Sequence, residues 1–229
     1  MLSDRLQAIA MLVPYNSIVA DIGTDHGYLP IALVKTNQVP KAYAMDINEG
    51  PLMKARENIK AHGLEQQVIA LKSAGLENLP EDVDVVVIAG MGGILISDIL
   101  ETSKPKLSAI ETLILSPHLD VPYVRRTVHG LGYKITEEKM VIDQEKYYTL
   151  IKCEQGNEIY SELEYEYGKK LVEEGTDTFL AYLETEKNKL ENVINRLKTM
   201  DAKSAIARSE ILINKYDTIV EIRRHHETK

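Results

Sequence analysis

The chain has 229 residues, 44% apolar and 27% charged, an ordinary globular composition that excludes fibrous and disordered classes and leaves room for one α/β domain with a smaller appendage. No apolar run reaches the roughly 18–20 residues of a membrane-spanning helix, no signal-peptide layout opens the chain, and a single cysteine, Cys153, excludes an internal disulfide, so a cytoplasmic protein without membrane contact is expected. The net charge of −8 argues against indiscriminate coating of nucleic acid while leaving open a local basic face.

In chain order, short apolar runs alternate with amphipathic stretches. Ile18-Val19-Ala20 reads as a strand, residues 28–34 as a helix, 41–45 as a strand and 51–62 as a helix ending near Gly63. Residues 67–71 make a third strand, and the β-branched run Val85-Val86-Val87-Ile88 suits a fourth, buried on both faces. Residues 94–100 are helical, 112–115 a strand and 121–131 helical; 133–135 and 147–153 close the series as an antiparallel pair. The alternation predicts an α/β fold, a mostly parallel seven-stranded sheet with helices on both faces. Cys153, inside the last strand, is expected to be a buried, inert thiol.

After Gly156 strand-like runs stop and a 4–3 spacing begins. Phe179, Leu183, Leu190, Val193, Leu197 and Met200 form one stripe, with Glu186 at one intended apolar position. Ala202, Ile206, Ser209, Ile213, Tyr216 and Val220 form a second. Two helices packed in coiled-coil fashion, joined near residues 199–203, are expected. Pairing within one chain buries both stripes, which favours a monomer over a dimerising scaffold. The boundary is placed near residues 154–158, giving units of 1–156 and 157–229. Residues 158–185 hold two Lys against eight acids and 186–229 hold ten Lys plus Arg against seven. That basic end points to a polyanion, though a solvated helix face has the same look.

The segment Asp21-Ile22-Gly23-Thr24-Asp25-His26-Gly27-Tyr28-Leu29-Pro30 is the richest in chemistry. A strand runs into a turn with glycines at 23 and 27, and glycine lets backbone approach a ligand because it lacks a Cβ and tolerates φ > 0. A nucleotide cofactor at the carboxyl end of a parallel strand is the expected occupant. The dinucleotide pattern G-x-G-x-x-G is absent because Asp25 stands at its second glycine, where a carboxylate would repel a pyrophosphate. A phosphate-free donor with a cationic centre would be tolerated, and S-adenosylmethionine is one. Asp46, in Asp46-Ile47-Asn48, lies 23 positions after Gly23 and suits acceptance of hydrogen bonds from ribose hydroxyls; a strand-end Asp also serves as a helix cap. Ser73-Ala74-Gly75 follows the third strand, where such folds contact the adenine. Ala89-Gly90-Met91-Gly92-Gly93 follows the fourth, beside the place of the transferred group, although a plain tight turn fits that stretch equally. The expected cofactor set is Asp21, Gly23, Thr24, Asp25, His26, Gly27, Asp46, Ile47, Asn48, Ser73, Ala74, Gly75, Gly90, Met91 and Gly92.

Together, the residue 21–30 string, Asp46-Ile47-Asn48 and Ala89-Gly90-Met91-Gly92-Gly93 resemble the bacterial tRNA (adenine-22-N1)-methyltransferase family, over nearly the whole chain. The resemblance implies a Rossmann-like class I methyltransferase domain, S-adenosylmethionine as cofactor, and methylation of N1 of adenine 22. It also implies that the helical domain, 157–229, holds the tRNA. Ser116-Pro117-His118 stands where a Gln-Pro-Asn-like triplet is expected, so no base-contacting role is given to Ser116 or His118.

Adenine N1 carries an unprotonated lone pair, so its attack on a sulfonium methyl needs no general base; alignment, electric field and water exclusion are the task. Asp25, Tyr28 and Met91 are the residues expected at the reacting atoms. Asp25 would stabilise the positive charge moving onto the base or else contact the cofactor's ammonium or sulfonium, Tyr28 would stack on the exposed adenine, and Met91 would lie beside the methyl. His26 is read as orienting the loop or contacting the cofactor, and His62, His129, His225 and His226 as surface residues. No cluster has metal-ligand spacing, so no metal is expected. Lys35, Lys54, Arg56, Arg125 and Arg126 are each more readily solvated charges than phosphate contacts, although with the basic tail they would form an RNA footprint. The competing readings are a methyltransferase for another RNA site, a small molecule or a protein, and an NAD-dependent oxidoreductase, which Asp25 disfavours.

Overall fold

Seven strands follow the apolar runs: β1 (Ile18–Ile22), β2 (Lys41–Asp46), β3 (Val68–Lys72), β4 (Val85–Met91), β5 (Thr112–Pro117), β6 (Tyr133–Asp143) and β7 (Lys146–Gln155). This is a computed structural model, and it describes residues 2–200 and 203–227. The strands form one sheet in the order β3-β2-β1-β4-β5-β7-β6. The first five are parallel, while β7 runs antiparallel between β5 and β6. The result is the expected Rossmann-like, mostly parallel sheet. Chain order reverses between β1 and β4, which opens a crevice at the carboxyl ends of the strands.

Helices α1 (Asp4–Leu12), α2 (Tyr28–Lys35) and α3 (Glu49–Ala61) cover one face, where Ile9, Leu12, Leu29, Leu33 and Ile59 pack on Val19, Ala44, Val87 and Ile114. α4 (Gly93–Thr102), the short α5 (Lys104–Leu107) and α6 (Val121–Gly130) follow on the other, where Ile96, Leu100, Val124 and Val128 pack on Ala20, Met45, Ile88 and Leu115. Val85, Val86, Val87 and Ile88 are 0–2% exposed, as a strand covered on both faces requires. Cys153 is buried in β7, and burial pushes its thiol far above the ordinary range. α1, which the sequence pattern did not predict, is capped by Ser3 and buries Ala8, Ile9 and Leu12.

The chain divides into two units, Met1–Lys170 and Leu171–Lys229. The expected boundary at residue 156 is therefore too early. α7 (Glu162–Tyr167), closed by a Ser161–Glu164 capping box, belongs with the sheet. Its anchor is Arg125, which donates to the Tyr165 and Glu166 carbonyls at 2.8 and 3.1 Å. α8 (Lys169–Glu174) crosses the boundary.

In the second unit α9 (Asp177–Leu197) and α10 (Lys203–Glu227) pack against each other. The expected 4–3 stripes are buried only in part. Phe179, Leu183 and Ser209 are buried as expected, whereas Ile194, Ala205 and Ile219 take the places expected for Val193, Ile206 and Val220. Each of these pairs is adjacent in sequence, so spacing alone leaves the choice open. Ala202 lies outside the described residues. Among the described residues no helix is long and apolar enough to cross a membrane.

Candidate active site

β1 ends at Ile22, and the next two amides, of Gly23 and Thr24, donate to the Met45 carbonyl of β2 at 2.8 and 3.0 Å. That anchoring holds Gly23 at φ +72°, where a Cβ would stand 2.1 Å from Met91 Cε. Thr24 Oγ1 donates to Asp21 Oδ2 at 2.6 Å, and both residues are buried under the turn. Burial pushes the Asp21 carboxyl up to about 6, against the Thr24 hydrogen bond and with help from Asp25 and Asp46. Among the described residues no cation pairs with it.

The turn continues with His26 and Gly27 both left-handed, at φ 58° and 70°. Asn58 Nδ2 donates to the His26 carbonyl at 2.9 Å and holds this conformation. The His26 ring stacks on Tyr28 at 5.3 Å, and its Nε2 lies 3.3 Å from Asp25 Oδ1. Asp25 and Tyr28 are exposed on the outer side of the turn.

At the carboxyl ends of the strands lies a cavity of about 460 Å³. Gly23, Asp46, Ile47, Asn48, Ser73, Ala74, Gly75 and Met91, all expected from sequence, line it. Asp46 Oδ1 accepts from the Asn48 amide at 2.6 Å. Ser73 Oγ donates to the Gly75 carbonyl at 2.9 Å and accepts from the Asn78 amide at 3.0 Å, fixing the loop after β3. Asp21, Thr24, Asp25, His26, Gly27, Tyr28, Gly90 and Gly92 are not in the lining. The first two support it from below, the next four form the outer turn, and the last two flank Met91. Leu95, Asp98, Ile99 and Thr102 of α4, with Ile22 and Ser103, complete the wall and were missed. The α4 spacing, 95/99 and 98/102, places those four on one helix face and was the available signal.

The lining fits a phosphate-free nucleoside donor. Asp46 offers a carboxylate and Ile47, Leu95 and Ile99 offer apolar walls, while Asp21, outside the lining, is a buried acid with no cation paired to it among the described residues. The size lies within the usual range for ligand cavities.

A family model described as a methyltransferase domain matches residues 2–151. The tRNA (adenine(22)-N(1))-methyltransferase of Bacillus subtilis is 35% identical over 157 residues, which cover 68% of this chain and 66%, just under two thirds, of that one. A putative tRNA (m1A22) methyltransferase from Streptococcus pneumoniae superposes with a TM-score of 0.92 at 33% identity, over 97% of this chain and 100% of that one. The chain belongs to the tRNA (adenine-22-N1)-methyltransferase family. The Streptococcus pneumoniae protein has also been solved in complex with S-adenosyl-L-methionine. The M. capricolum TrmK in complex with S-adenosyl-homocysteine superposes with a TM-score of 0.85 at 31% identity, over 98% of both chains.

In this methyltransferase several expected surface groups are already engaged. Arg125 is 2% exposed and paired with Glu138, so it is no RNA contact. Arg126 pairs with Glu162 and lies 4.1 Å over the Tyr165 ring, and Arg56 pairs with Glu49. Lys35 and Lys54 are exposed. His129 is no free surface residue: its ring packs between Tyr160 and Tyr165 at 4.6 and 5.5 Å, and burial lowers its pKa. His226 bonds the Val172 carbonyl at 2.7 Å.

Proposed function

We propose that this enzyme transfers a methyl group from S-adenosylmethionine to N1 of adenine 22 in tRNA, acting as a cytoplasmic monomer. The observation that carries the reading is the cavity at the strand ends, where Asp46 and the apolar wall from α4 suit a nucleoside. The likeness along the full chain to relatives solved with that cofactor and its product supports it.

S-adenosylmethionine, when bound, supplies an electrophilic methyl on a cationic sulfur. Asp46 accepts hydrogen bonds from the ribose hydroxyls, with Ile47, Leu95 and Ile99 walling the adenosine. Asp21 offsets the positive charge of the donor from beneath the turn. Met91, packed against Gly23, keeps water from the reacting atoms. Tyr28, steadied by His26, stacks on the extruded adenine, and Asp25 stabilises the positive charge that N1 acquires. No residue removes a proton before attack, because N1 bears none. The helical unit after Lys170 holds the tRNA.

Incubation with labelled S-adenosylmethionine and unmodified tRNA transcripts, followed by mapping of the modified nucleotide, tests the reading. N1-methyladenine at position 22 is expected. Transfer to the exocyclic amine, or no transfer to tRNA, overturns it.

A further inference from the structure

Arg5 on α1 makes no ion pair with a carboxylate among the described residues, in a chain of net charge −8. Its Nη1 donates to His118 Nε2 at 2.6 Å, its guanidinium carbon lies 4.8 Å over the Tyr148 ring, and its Nε is buried without a hydrogen-bond partner. His118 packs against the same ring at 5.4 Å. Burial, then Arg5 and Lys146, keep His118 below its usual pKa, so it serves as a neutral acceptor. The guanidinium is therefore oriented but not neutralised.

This cation stands beside the end of β4, next to Met91, which the proposed mechanism sets at the reacting atoms. Its two terminal nitrogens lie 3.9 Å from where a Cβ on Gly90 would be, at the irregularity between Ala89 and Met91 that ends β4. The His118 amide donates to the Met91 carbonyl at 2.9 Å, which joins the end of β5 to the same point. Ser116, paired in register with Ala89, is fully buried and its hydroxyl has no partner. Yet neither Arg5, His118, Tyr148 nor Lys146 lines the cavity that suits the nucleoside donor. The missing anion therefore belongs to the other reactant. A guanidinium at the base itself would oppose the positive charge that N1 acquires. At a phosphate it presents a planar fork to two oxygens and leaves the base untouched.

We propose that Arg5, steadied by Tyr148 and His118, grips a backbone phosphate next to the adenine that is methylated. The proposal rests on the RNA reading above. The test compares wild-type enzyme with R5Q and R5K on an unmodified tRNA transcript. It measures tRNA affinity at several salt concentrations, KM and kcat for tRNA, and cofactor affinity by calorimetry. R5Q is expected to weaken tRNA binding about tenfold and to flatten the plot of log K against log salt by about 0.7–0.9. KM should rise by a larger factor than kcat falls, and cofactor affinity should hold. R5K is expected to restore the salt slope but not the full affinity, since an ammonium lacks the fork. An unchanged slope in R5Q overturns the proposal, as does a loss of cofactor affinity as large as the loss for tRNA. R5K behaving like R5Q overturns it too, marking a packing role. If wild-type enzyme binds tRNA but methylates another nucleotide, the position-22 reading fails while the salt slopes still decide Arg5.

Discussion

Arg125 and Glu138 form an ion pair at 2.7 Å with side chains only 2% and 0% exposed. Burial raises the Glu138 carboxyl above its ordinary range, and Arg125 offsets only part of that rise. Glu138 also accepts from the Lys170 amide at 3.3 Å, so the pair ties α6 and β6 to the segment after the sheet. Arg125→Met leaves a buried carboxylate without its counter-charge, along with the unpaired carbonyls of Tyr165 and Glu166. A loss of about 3–5 kcal/mol is expected in urea unfolding. A loss under about 1 kcal/mol would show that the pair carries little of the fold.

The same anchor decides where the chain can be cut. A protein ending at Lys170 keeps every partner of Arg125 and Glu138 and should fold, bind cofactor and fail to methylate tRNA. A protein ending at Gly156 keeps the Arg125–Glu138 pair but strips it of the Tyr165 and Glu166 carbonyls and the Lys170 amide, and should be recovered unfolded or aggregated. Circular dichroism and calorimetry on the two truncations check this, and a stable, cofactor-binding 1–156 fragment would contradict it.

Asp46 Oδ1 is engaged by the Asn48 amide at 2.6 Å, which orients the carboxylate in the cavity wall. Asp46→Ala should weaken cofactor binding by about 1–3 kcal/mol, because ribose hydroxyls lose a charged acceptor. Titration calorimetry reads the change directly. An unaltered dissociation constant would remove Asp46 from the site.

Asp21 makes folding and binding depend on pH. Its carboxyl is raised from 3.8 to about 6 by burial, so the native state favours the proton more than the unfolded chain does. The associated stability is fully present below about pH 3.8 and is lost as pH rises through about 6, a cost of about 3 kcal/mol by pH 7. Asp21→Asn should therefore raise the unfolding midpoint at pH 8 and leave it nearly unchanged at pH 4. Cofactor affinity should climb through pH 6 in the wild-type protein and stay flat in the variant, because the ionised carboxylate is the partner of a cationic donor. Scanning calorimetry at the two pH values, with a larger shift at pH 4, would refute the assignment.

Much of the site was legible where chemistry and local geometry coincide in a few consecutive residues. Asp46 and Met91 end parallel strands, Gly23 and Ser73 directly follow them, and strand ends are brought together by the fold class itself. Leu95, Asp98, Ile99 and Thr102 escaped notice because they sit inside an ordinary amphipathic helix, whose facing depends on what it packs against. Arg5 and Tyr148 escaped for a stronger reason. They lie 143 positions apart and meet only because β7 and α1 lie together at one end of the sheet.

By itself the sequence determined the seven strands in chain order, the helices between β1 and β6 other than α5, the mostly parallel class of the sheet and the glycine turn after β1, because these follow from periodicity and from glycines at fixed short spacing. The tertiary structure alone decided which apolar residue of each adjacent pair faces inward on α9 and α10. It also decided that Arg125 is a buried anchor rather than an RNA contact, and that the sheet-bearing unit runs on to Lys170. Those outcomes turn on desolvation and pairing between residues distant in the chain, which no local pattern encodes.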